Sequence, residues 1–281
     1  MTVKIIAEIG ANHNGELTLA REMAQAAKES GVDYVKFQSW QSRKIPPGPW
    51  DHEGPFFQYK TKRDFYNASE LSDQDHHDLI SYCNSIGVNF LTTCFDRERN
   101  VFLSTLGLDT IKVASCDLAS TKMLSELSEN FGRIILSTGM GTMEEIRTAC
   151  NLLGQEIKDF AMLYCVAEYP TTLTSISIPR MLAIRDMMPS TDNFGISDHS
   201  LGTSFAKIAV THGAHWIEKH FTIDRDIPGP DNRMSMLPHE MRDIRNFCDD
   251  FEKISSGTTI GPTDSERDLR KIIVGRFGDN A

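Results

Sequence analysis

Two histidines with equivalent surroundings are the clearest candidates for chemistry in this sequence. His199 and His220 lie 21 positions apart, and each lies just after a short apolar run. If both runs are neighbouring parallel strands, their carboxyl ends lie side by side and the two imidazoles converge. Neutral imidazoles suit a borderline divalent cation, and only two protein ligands leave positions open for water and substrate. An isolated histidine would be interpreted as a core or loop residue, but the repeated placement favours a metal site.

Two lysines lie inside apolar runs that predict buried strands. An unpaired ammonium group is costly there, so Lys36 and Lys112 need partners. Either each pairs with a carboxylate such as Glu8 or Asp117, or both hold an anionic ligand. Serines at other strand ends favour the anion, because hydroxyls and turn amides beside two lysines suit a phosphate group. These serines are Ser115, Ser137 and Ser197.

Further polar residues follow the later apolar runs. Asp231 ends the turn Pro228-Gly229-Pro230-Asp231. It could hydrogen-bond its own backbone, as turn aspartates do, or accept hydrogen bonds from substrate hydroxyls. Tyr169 and Lys219 also lie at or just after the ends of apolar runs, and both are candidates for substrate binding.

The elements that would position these residues alternate between strand and helix. Eight strand-like runs are each followed by a helical segment, which gives parallel strands joined by right-handed crossovers. Eight such units over about 250 residues predict an α/β fold, the closed (β/α)8 TIM barrel, with its chemistry at the carboxyl ends of the strands. No Gly-x-Gly-x-x-Gly follows the first run, which removes the main support for dinucleotide binding. The predicted strands are 3–9, 33–38, 88–93, 110–114, 133–136, 160–165, 194–196 and 215–219.

The segment 39–72 interrupts this alternation. It is rich in proline and glycine at first, and then in aromatic and basic residues. Loops of this length inside compact domains are often functional lids. A surface excursion or a subunit contact is the alternative interpretation.

Composition narrows the classes of protein that this sequence can belong to. The formal net charge of −10 argues against a nucleic-acid or anionic-membrane surface. No apolar run is long enough to span a membrane, and the N-terminus lacks the layout of a signal peptide. The six cysteines include no Cys-x-x-Cys pair, which favours reduced core residues and a cytoplasmic location.

An ordered set of motifs resembles the sialic acid synthase (N-acetylneuraminate synthase) family. The set spans residues 7 to about 240 and follows the order of the family's motifs, which makes it far more specific than any single motif. The matching pieces are Ala7–Gly15 (AEIGANHNG), Val35–Gln38 (VKFQ), Lys112–Ser115 (KVAS), Leu136–Met140 (LSTGM), Tyr169–Thr171 (YPT), Ser197–His199 (SDH), Glu218–Thr222 (EKHFT) and Pro228–Asp231 (PGPD).

The resemblance implies condensation of phosphoenolpyruvate with the open-chain aldehyde of an N-acyl aminosugar such as N-acetylmannosamine. The product is a nine-carbon 2-keto acid, and phosphate is released. A divalent cation, manganese in particular, would be held by His199 and His220. Phosphoenolpyruvate would lie on the two lysines and the three serines, Glu8 and Asp231 would orient the sugar, and Tyr169 would face its acyl group. Lys219 is a further expected substrate-binding residue, and a homodimer is expected.

The sequence departs from the family pattern at two places. Ser115-Cys116-Asp117 stands where Ser-Gly-Glu is usual, so Asp117, expected to handle the attacking water, has a shorter reach. Cys165-Val166-Ala167 has apolar residues where two polar ones are usual.

Family members commonly carry a C-terminal antifreeze-like domain. We therefore expect a barrel domain over 1–260 and, over 261–281, a tail that resembles the approach to such a domain.

The sequence leaves two other functions open. One is a related phosphoenolpyruvate-dependent keto-acid synthase that acts on a sugar phosphate. The other is a catalytically reduced sugar-binding homologue, which the two departures motivate. A metallohydrolase is less favoured, because the first strand lacks a His-x-His pair.

Overall fold

The chain forms a closed barrel of eight parallel strands in the computed structural model, which describes residues 2–45, 56–157 and 159–275. Neighbouring strands pair in chain order, and β8 closes the barrel on β1. The predicted (β/α)8 fold is confirmed. The strands β1 to β8 are Lys4–Gly10, Tyr34–Ser39, Asn89–Cys94, Thr110–Val113, Arg133–Ser137, Asp159–Cys165, Phe194–Asp198 and Trp216–His220.

Ten helices surround the barrel or follow it in the described part of the chain. They are α1 to α10: Leu17–Glu29, Lys62–Ser69, Asp73–Ile86, Arg97–Ser104, Thr121–Ser128, Met143–Glu156, Ile178–Arg185, Ser204–Thr211, Pro238–Ser255 and Asp264–Ile273. None of these helices is both long and apolar enough to cross a membrane.

Local sequence signals set the ends of several helices. α6 begins at a capping box in which Thr142 accepts from the backbone N–H of Glu145 and the Glu145 side chain accepts in return. Ser72 and Asp75 form the same motif at the start of α3. That helix ends at Gly87, whose φ of +69° places it in the left-handed region where glycine carries no Cβ penalty.

The core has an inner and an outer part. Alternate side chains of each strand point into the barrel, and the others point toward the helices. The inner layer at the amino-terminal side is filled by Ile6, Leu91, Ile135, Ala161, Leu163 and Trp216. The layer above it, at the carboxyl ends of the strands, is polar, and that change of composition marks the candidate site.

Two parts of the chain lie outside this regular pattern. Of the segment 39–72, residues 46–55 lie outside the described residues, so the predicted lid or contact stays a prediction there. The rest contributes helix α2, which the sequence did not predict. At the other end, α10 has no buried residues. The division into a domain over 1–260 and a tail over 261–281 also stays a prediction.

Candidate active site

The polar layer surrounds a cavity of about 290 Å³ at the carboxyl ends of the strands, here called the inner cavity. Nine of the twelve predicted site residues line it: Glu8, Lys36, Lys112, Ser115, Ser137, Tyr169, Ser197, His199 and His220. Asp117 and Asp231 line a neighbouring cavity, and Lys219 lines neither. The structure thus brings together residues that are up to 212 positions apart in the chain.

Both strand lysines are buried and point into the inner cavity. Lys36 Nζ lies 2.7 Å from Glu8 Oε2 and donates to Thr93 Oγ1 at 2.9 Å. Lys112 Nζ donates to Ser137 Oγ at 2.6 Å and to the carbonyl oxygen of Val113 at 2.8 Å. Pairing of the lysines with carboxylates therefore does not exclude an anion-binding site. A lysine that is paired at the cavity wall still presents positive charge to the cavity.

Glu218 is a site residue that was not among the sequence candidates. It accepts a hydrogen bond from Ser197 Oγ at 2.8 Å and lies 3.7 Å from the Lys36 ammonium group and 3.9 Å from that of Lys112. Burial alone would raise the pKa of Glu218, but the two lysines and the serine hydrogen bond lower it to about 2. Glu218 is therefore an anion that holds both lysines toward the centre of the barrel.

The two lysines differ in their electrostatic surroundings. Burial would lower the pKa of Lys36, but Glu218 and Glu8 raise it above its usual value. For Lys112 burial dominates and lowers the pKa, with Lys36 adding repulsion. Lys112 is therefore the lysine that gains most from an added anion, because it has no carboxylate closer than 3.9 Å among the described residues.

The pKa of Glu8 is shifted in the opposite direction from that of Glu218. Its burial raises its pKa above the ordinary value, although Lys36 opposes this effect. Gln38 Nε2 donates to Glu8 Oε1 at 2.7 Å and fixes the carboxyl group. Glu8 pairs with both Lys36 on β2 and His220 on β8 in the strand register. It therefore lies between the lysines and the histidines, and it is the carboxyl group of the inner cavity best suited to hold a proton.

His199 and His220 converge, with ring centroids 5.5 Å apart. His199 Nδ1 lies 2.9 Å from the carbonyl oxygen of Val166. A carbonyl can only accept, so Nδ1 carries the hydrogen and Nε2 keeps its lone pair. Burial lowers the pKa of His199 to about 3, which keeps the ring neutral. Tyr169 stacks on His199 at 4.1 Å and fixes the plane of the imidazole.

The donor set fits a divalent cation with two protein ligands. Among the described residues His220 Nδ1 is buried without a hydrogen-bond partner, and the nearest carboxylate oxygen there, Asp231 Oδ2, lies 3.9 Å away. Such an orphaned nitrogen is unusual in a native interior unless something else binds it. In the described part of the chain no group of three His, Cys, Asp or Glu side chains has metal-binding geometry. Any bound cation would complete its coordination with water or substrate.

Lys219 requires a correction. Successive side chains of a strand point to opposite faces, so the inward Glu218 and His220 place Lys219 on the outer face of β8. Its ammonium group donates to Asp198 Oδ2 at 2.6 Å and to the carbonyl oxygen of Ser200 at 2.8 Å. The expected contact with substrate is therefore wrong in this structure. Lys219 instead joins β7 to β8 directly behind the two histidines.

A second cavity of about 770 Å³ opens beside the inner cavity, and it is here called the outer chamber. Asp231 lines it on the side of His220, and Asp117 lines it on the side of β4. Asp117 is partly buried, which raises its pKa, and it accepts from Ser120 Oγ at 3.2 Å. The shorter side chain thus lies outside the inner cavity, facing the chamber.

The loop that carries Asp231 is held by residues of the loop after β1. Asn12 Nδ2 donates to the carbonyl oxygen of Phe221 at 2.8 Å and to Ser235 Oγ at 3.0 Å. Asn14 Nδ2 donates to the carbonyl oxygen of Pro228 at 2.7 Å. The motif that includes both asparagines was quoted from the sequence, but their role as a clamp on the β8 loop was not predicted.

This architecture is that of a (β/α)8 barrel whose cavity combines a pair of buried lysines with a pair of histidines. Comparison with known proteins gives the family. The model of the NeuB family matches residues 23–259, so the chain belongs to the NeuB family. It is a condensing synthase of that family, as the resemblance of its motifs implied.

Named relatives agree with this assignment. The N,N'-diacetyllegionaminic acid synthase of Legionella pneumophila is 34% identical, over 97% of this chain and 79% of the relative. The N-acetylneuraminate-9-phosphate synthase of Drosophila melanogaster is 32% identical, over 91% of this chain and 69% of the relative. The crystal structure of the N-acetylneuraminic acid (sialic acid) synthetase of Leptospira borgpetersenii, in complex with citrate, has a TM-score of 0.82 at 27% identity, and the match covers 97% and 93% of the two chains.

Proposed function

We propose that this protein condenses phosphoenolpyruvate with an N-acyl aldose to give a nonulosonic acid and inorganic phosphate, with a divalent cation, manganese in particular, at His199 and His220. The observation that carries the proposal is the division of the inner cavity. Buried lysines and hydroxyls lie on one side, and the imidazoles of His199 and His220 lie on the other. A reaction between an anionic donor and an uncharged aldehyde needs this division.

The lysine side suits phosphoenolpyruvate. Lys112, Ser115, Ser137 and Lys36 line one part of the cavity, and the backbone N–H of Gly139 donates to Ser115 Oγ at 2.9 Å. Ammonium groups and hydroxyls give charge-assisted hydrogen bonds to phosphate and carboxylate oxygens. The same positive charges stabilise negative charge on the departing phosphate in the transition state. Glu218 lies within 3.9 Å of both ammonium groups and holds the two lysines in place.

The histidine side suits the aldehyde. When bound there, a divalent cation supplies Lewis acidity that makes the aldehyde carbon electrophilic. Glu8 lies between the two sides and can hold a proton for the aldehyde oxygen, while Gln38 keeps its carboxyl group oriented. The enol carbon of phosphoenolpyruvate bonds to the aldehyde carbon, water adds at C2, and the C–O bond to phosphate breaks. Residues on both sides therefore act by holding the two reactants in contact.

Phosphate release tests this proposal directly. The full chain is treated with a chelator, reloaded with Mn²⁺ and mixed with phosphoenolpyruvate and N-acetylmannosamine, alone and together. We expect release only when both substrates and the cation are present, and a nonulosonic acid product by mass spectrometry. Undiminished release after chelation would refute the cation. Tight phosphoenolpyruvate binding without release for any N-acyl aldose would instead support a catalytically reduced homologue.

A further inference from the structure

Asp231 places a carboxylate beside the histidine side of the inner cavity. It lines the outer chamber, and its Oδ2 lies 3.9 Å from Nδ1 of His220, which lines the inner cavity. The proposed function puts the aldose in this place. Asp231 belongs to the irregular stretch between β8 and α9, where the one described helical turn is Asn232–Met234. The position of the carboxylate therefore depends on what holds that stretch.

The residues 222–236, here called the β8 loop, form a compact unit. The end of the loop returns to its start, because the backbone N–H of Met236 donates to the carbonyl oxygen of His220 at 2.7 Å. Within the loop, Ser235 Oγ donates to the carbonyl oxygen of Asp231 at 2.8 Å, and Ser235 is fully buried. A group that fixes Ser235 therefore also fixes the backbone of Asp231.

Asn12, in the loop after β1, holds the β8 loop at Ser235. Asn12 is 1% exposed, and its Nδ2 donates to Ser235 Oγ at 3.0 Å and to the carbonyl oxygen of Phe221 at 2.8 Å. Two hydrogen bonds in series thus connect Asn12 to the backbone of Asp231, and the same amide bonds to the residue directly after His220. Buried bonds of this kind are costly to lose, because the groups left behind cannot bond to water.

Asn14 holds the β8 loop at a second point, three residues before Asp231. Its Nδ2 donates to the carbonyl oxygen of Pro228 at 2.7 Å. Its φ of +52° lies in the left-handed region, which asparagine tolerates better than most residues. Gly15 follows with a φ of +85°, and a Cβ there would overlap the carbonyl oxygen of Ala68 in α2. Helix α2 thus supports the loop after β1 from the other side.

We propose that Asn12 and Asn14 are positioning residues that hold the Asp231 carboxylate beside the aldose. The inference rests on the proposed function, because that function places the aldose at the histidine side. Among the described residues, neither asparagine lines the inner cavity or the outer chamber, so both act through the β8 loop. In the same part of the chain, no residue of the β8 loop lines the inner cavity, where phosphoenolpyruvate is placed. A displaced β8 loop therefore weakens the binding of the aldose and leaves that of phosphoenolpyruvate unchanged.

The kinetics of two variants test the inference. Phosphate release with Mn²⁺ gives KM for N-acetylmannosamine at saturating phosphoenolpyruvate, and KM for phosphoenolpyruvate at saturating sugar. Asn12→Ala removes both hydrogen bonds of that amide, whereas Asn14→Gly removes one and keeps the left-handed backbone. We expect KM for the sugar to rise about tenfold in either variant, the equivalent of one displaced hydrogen bond, with KM for phosphoenolpyruvate unchanged. Asn89→Ala is the matched control, because the Asn89 amide donates to a backbone carbonyl, that of Asp33 at 2.9 Å, at the amino-terminal end of β3.

Hydrogen exchange followed by mass spectrometry gives a readout that needs no turnover. In Asn12→Ala and Asn14→Gly, the backbone amides of the β8 loop should exchange about tenfold faster, while those of β4 and β5 exchange as in the wild type. Asn89→Ala should leave the exchange of the β8 loop unchanged. Asn12 is buried, so Asn14→Gly decides the question if Asn12→Ala does not fold.

Several outcomes would overturn the inference. They are an unchanged KM for the sugar, an equal rise of KM for both substrates, and exchange that is unchanged in the β8 loop or faster throughout the barrel. If the wild type releases no phosphate with any aldose, the proposed function fails, and exchange decides separately whether the two asparagines hold Asp231. Faster exchange confined to the β8 loop would then support that role, whereas unchanged exchange would refute it.

Discussion

Removing the charge of Lys219 should destabilise the protein without weakening substrate binding. The side chains of Lys219 and Asp198 are 2% and 1% exposed and lie 2.6 Å apart, so Lys219→Met leaves a carboxylate buried and unpaired. Breaking such a pair costs about 3–5 kcal/mol. A chain of this size changes its melting temperature by about 2–4 °C per kcal/mol. The expected fall is therefore about 6–20 °C.

Calorimetry and urea unfolding measure this change, and two further variants make it specific. The double variant Asp198→Leu/Lys219→Met removes both charges and should recover most of the lost stability, because well-packed apolar pairs can replace buried ion pairs. Lys207→Met is the matched control. Lys207 makes an equally short but more exposed pair with Asp243, which predicts a loss of about 1 kcal/mol or less. A stable Lys219→Met variant with a greatly raised KM for phosphoenolpyruvate would refute the outward placement of Lys219.

Three other changes test separate parts of the site and fold. His199→Ala or His220→Ala should abolish metal-dependent phosphate release with an unchanged circular dichroism spectrum, and full turnover in either variant would contradict the metal assignment. Gly139→Ala places a methyl group 2.8 Å from Ser115 Oγ, so we expect KM for phosphoenolpyruvate to rise about tenfold, the equivalent of one displaced hydrogen bond. Burial lowers the pKa of His76 from 6.5 to about 4, so its contribution to stability is present above pH 6.5 and is lost as pH falls toward 4. Urea unfolding at pH 7 and pH 5 should therefore show a loss about 2 kcal/mol larger in the wild type than in His76→Asn, and equal losses would refute that assignment.

Most of the barrel could be predicted from the sequence because each strand and helix carries its own local signal. The apolar runs predicted all eight strands to within two residues at each end, and local capping residues such as Thr142 and Gly87 set the ends of their helices. The polar residues at strand ends converge on one cavity because parallel strands in a barrel end on the same side.

The features that the sequence did not predict depend on which way a side chain points or on contacts between distant parts of the chain. Side chains alternate along a strand, so an inward His220 requires that the residue two positions earlier, Glu218, also points inward. Applied to β8, this rule would have predicted Glu218 as the site residue in place of Lys219. The outer chamber could not be predicted in the same way. Its wall combines the irregular segment after β2 with Phe95 and Asp231, and no periodicity in the sequence links those parts.

The closure of the barrel by β1 and β8 has a consequence for how the protein matures. Glu8 and His220 are register partners although 212 positions separate them, and Asn12 bonds to the backbone of Phe221. A growing chain on the ribosome therefore holds no competent site until its eighth strand has emerged and docked on its first. Contacts of such long sequence separation are slow to form. Phosphoenolpyruvate that binds across this seam should favour the completed ring over every open intermediate, and so act as a folding ligand as well as a reactant.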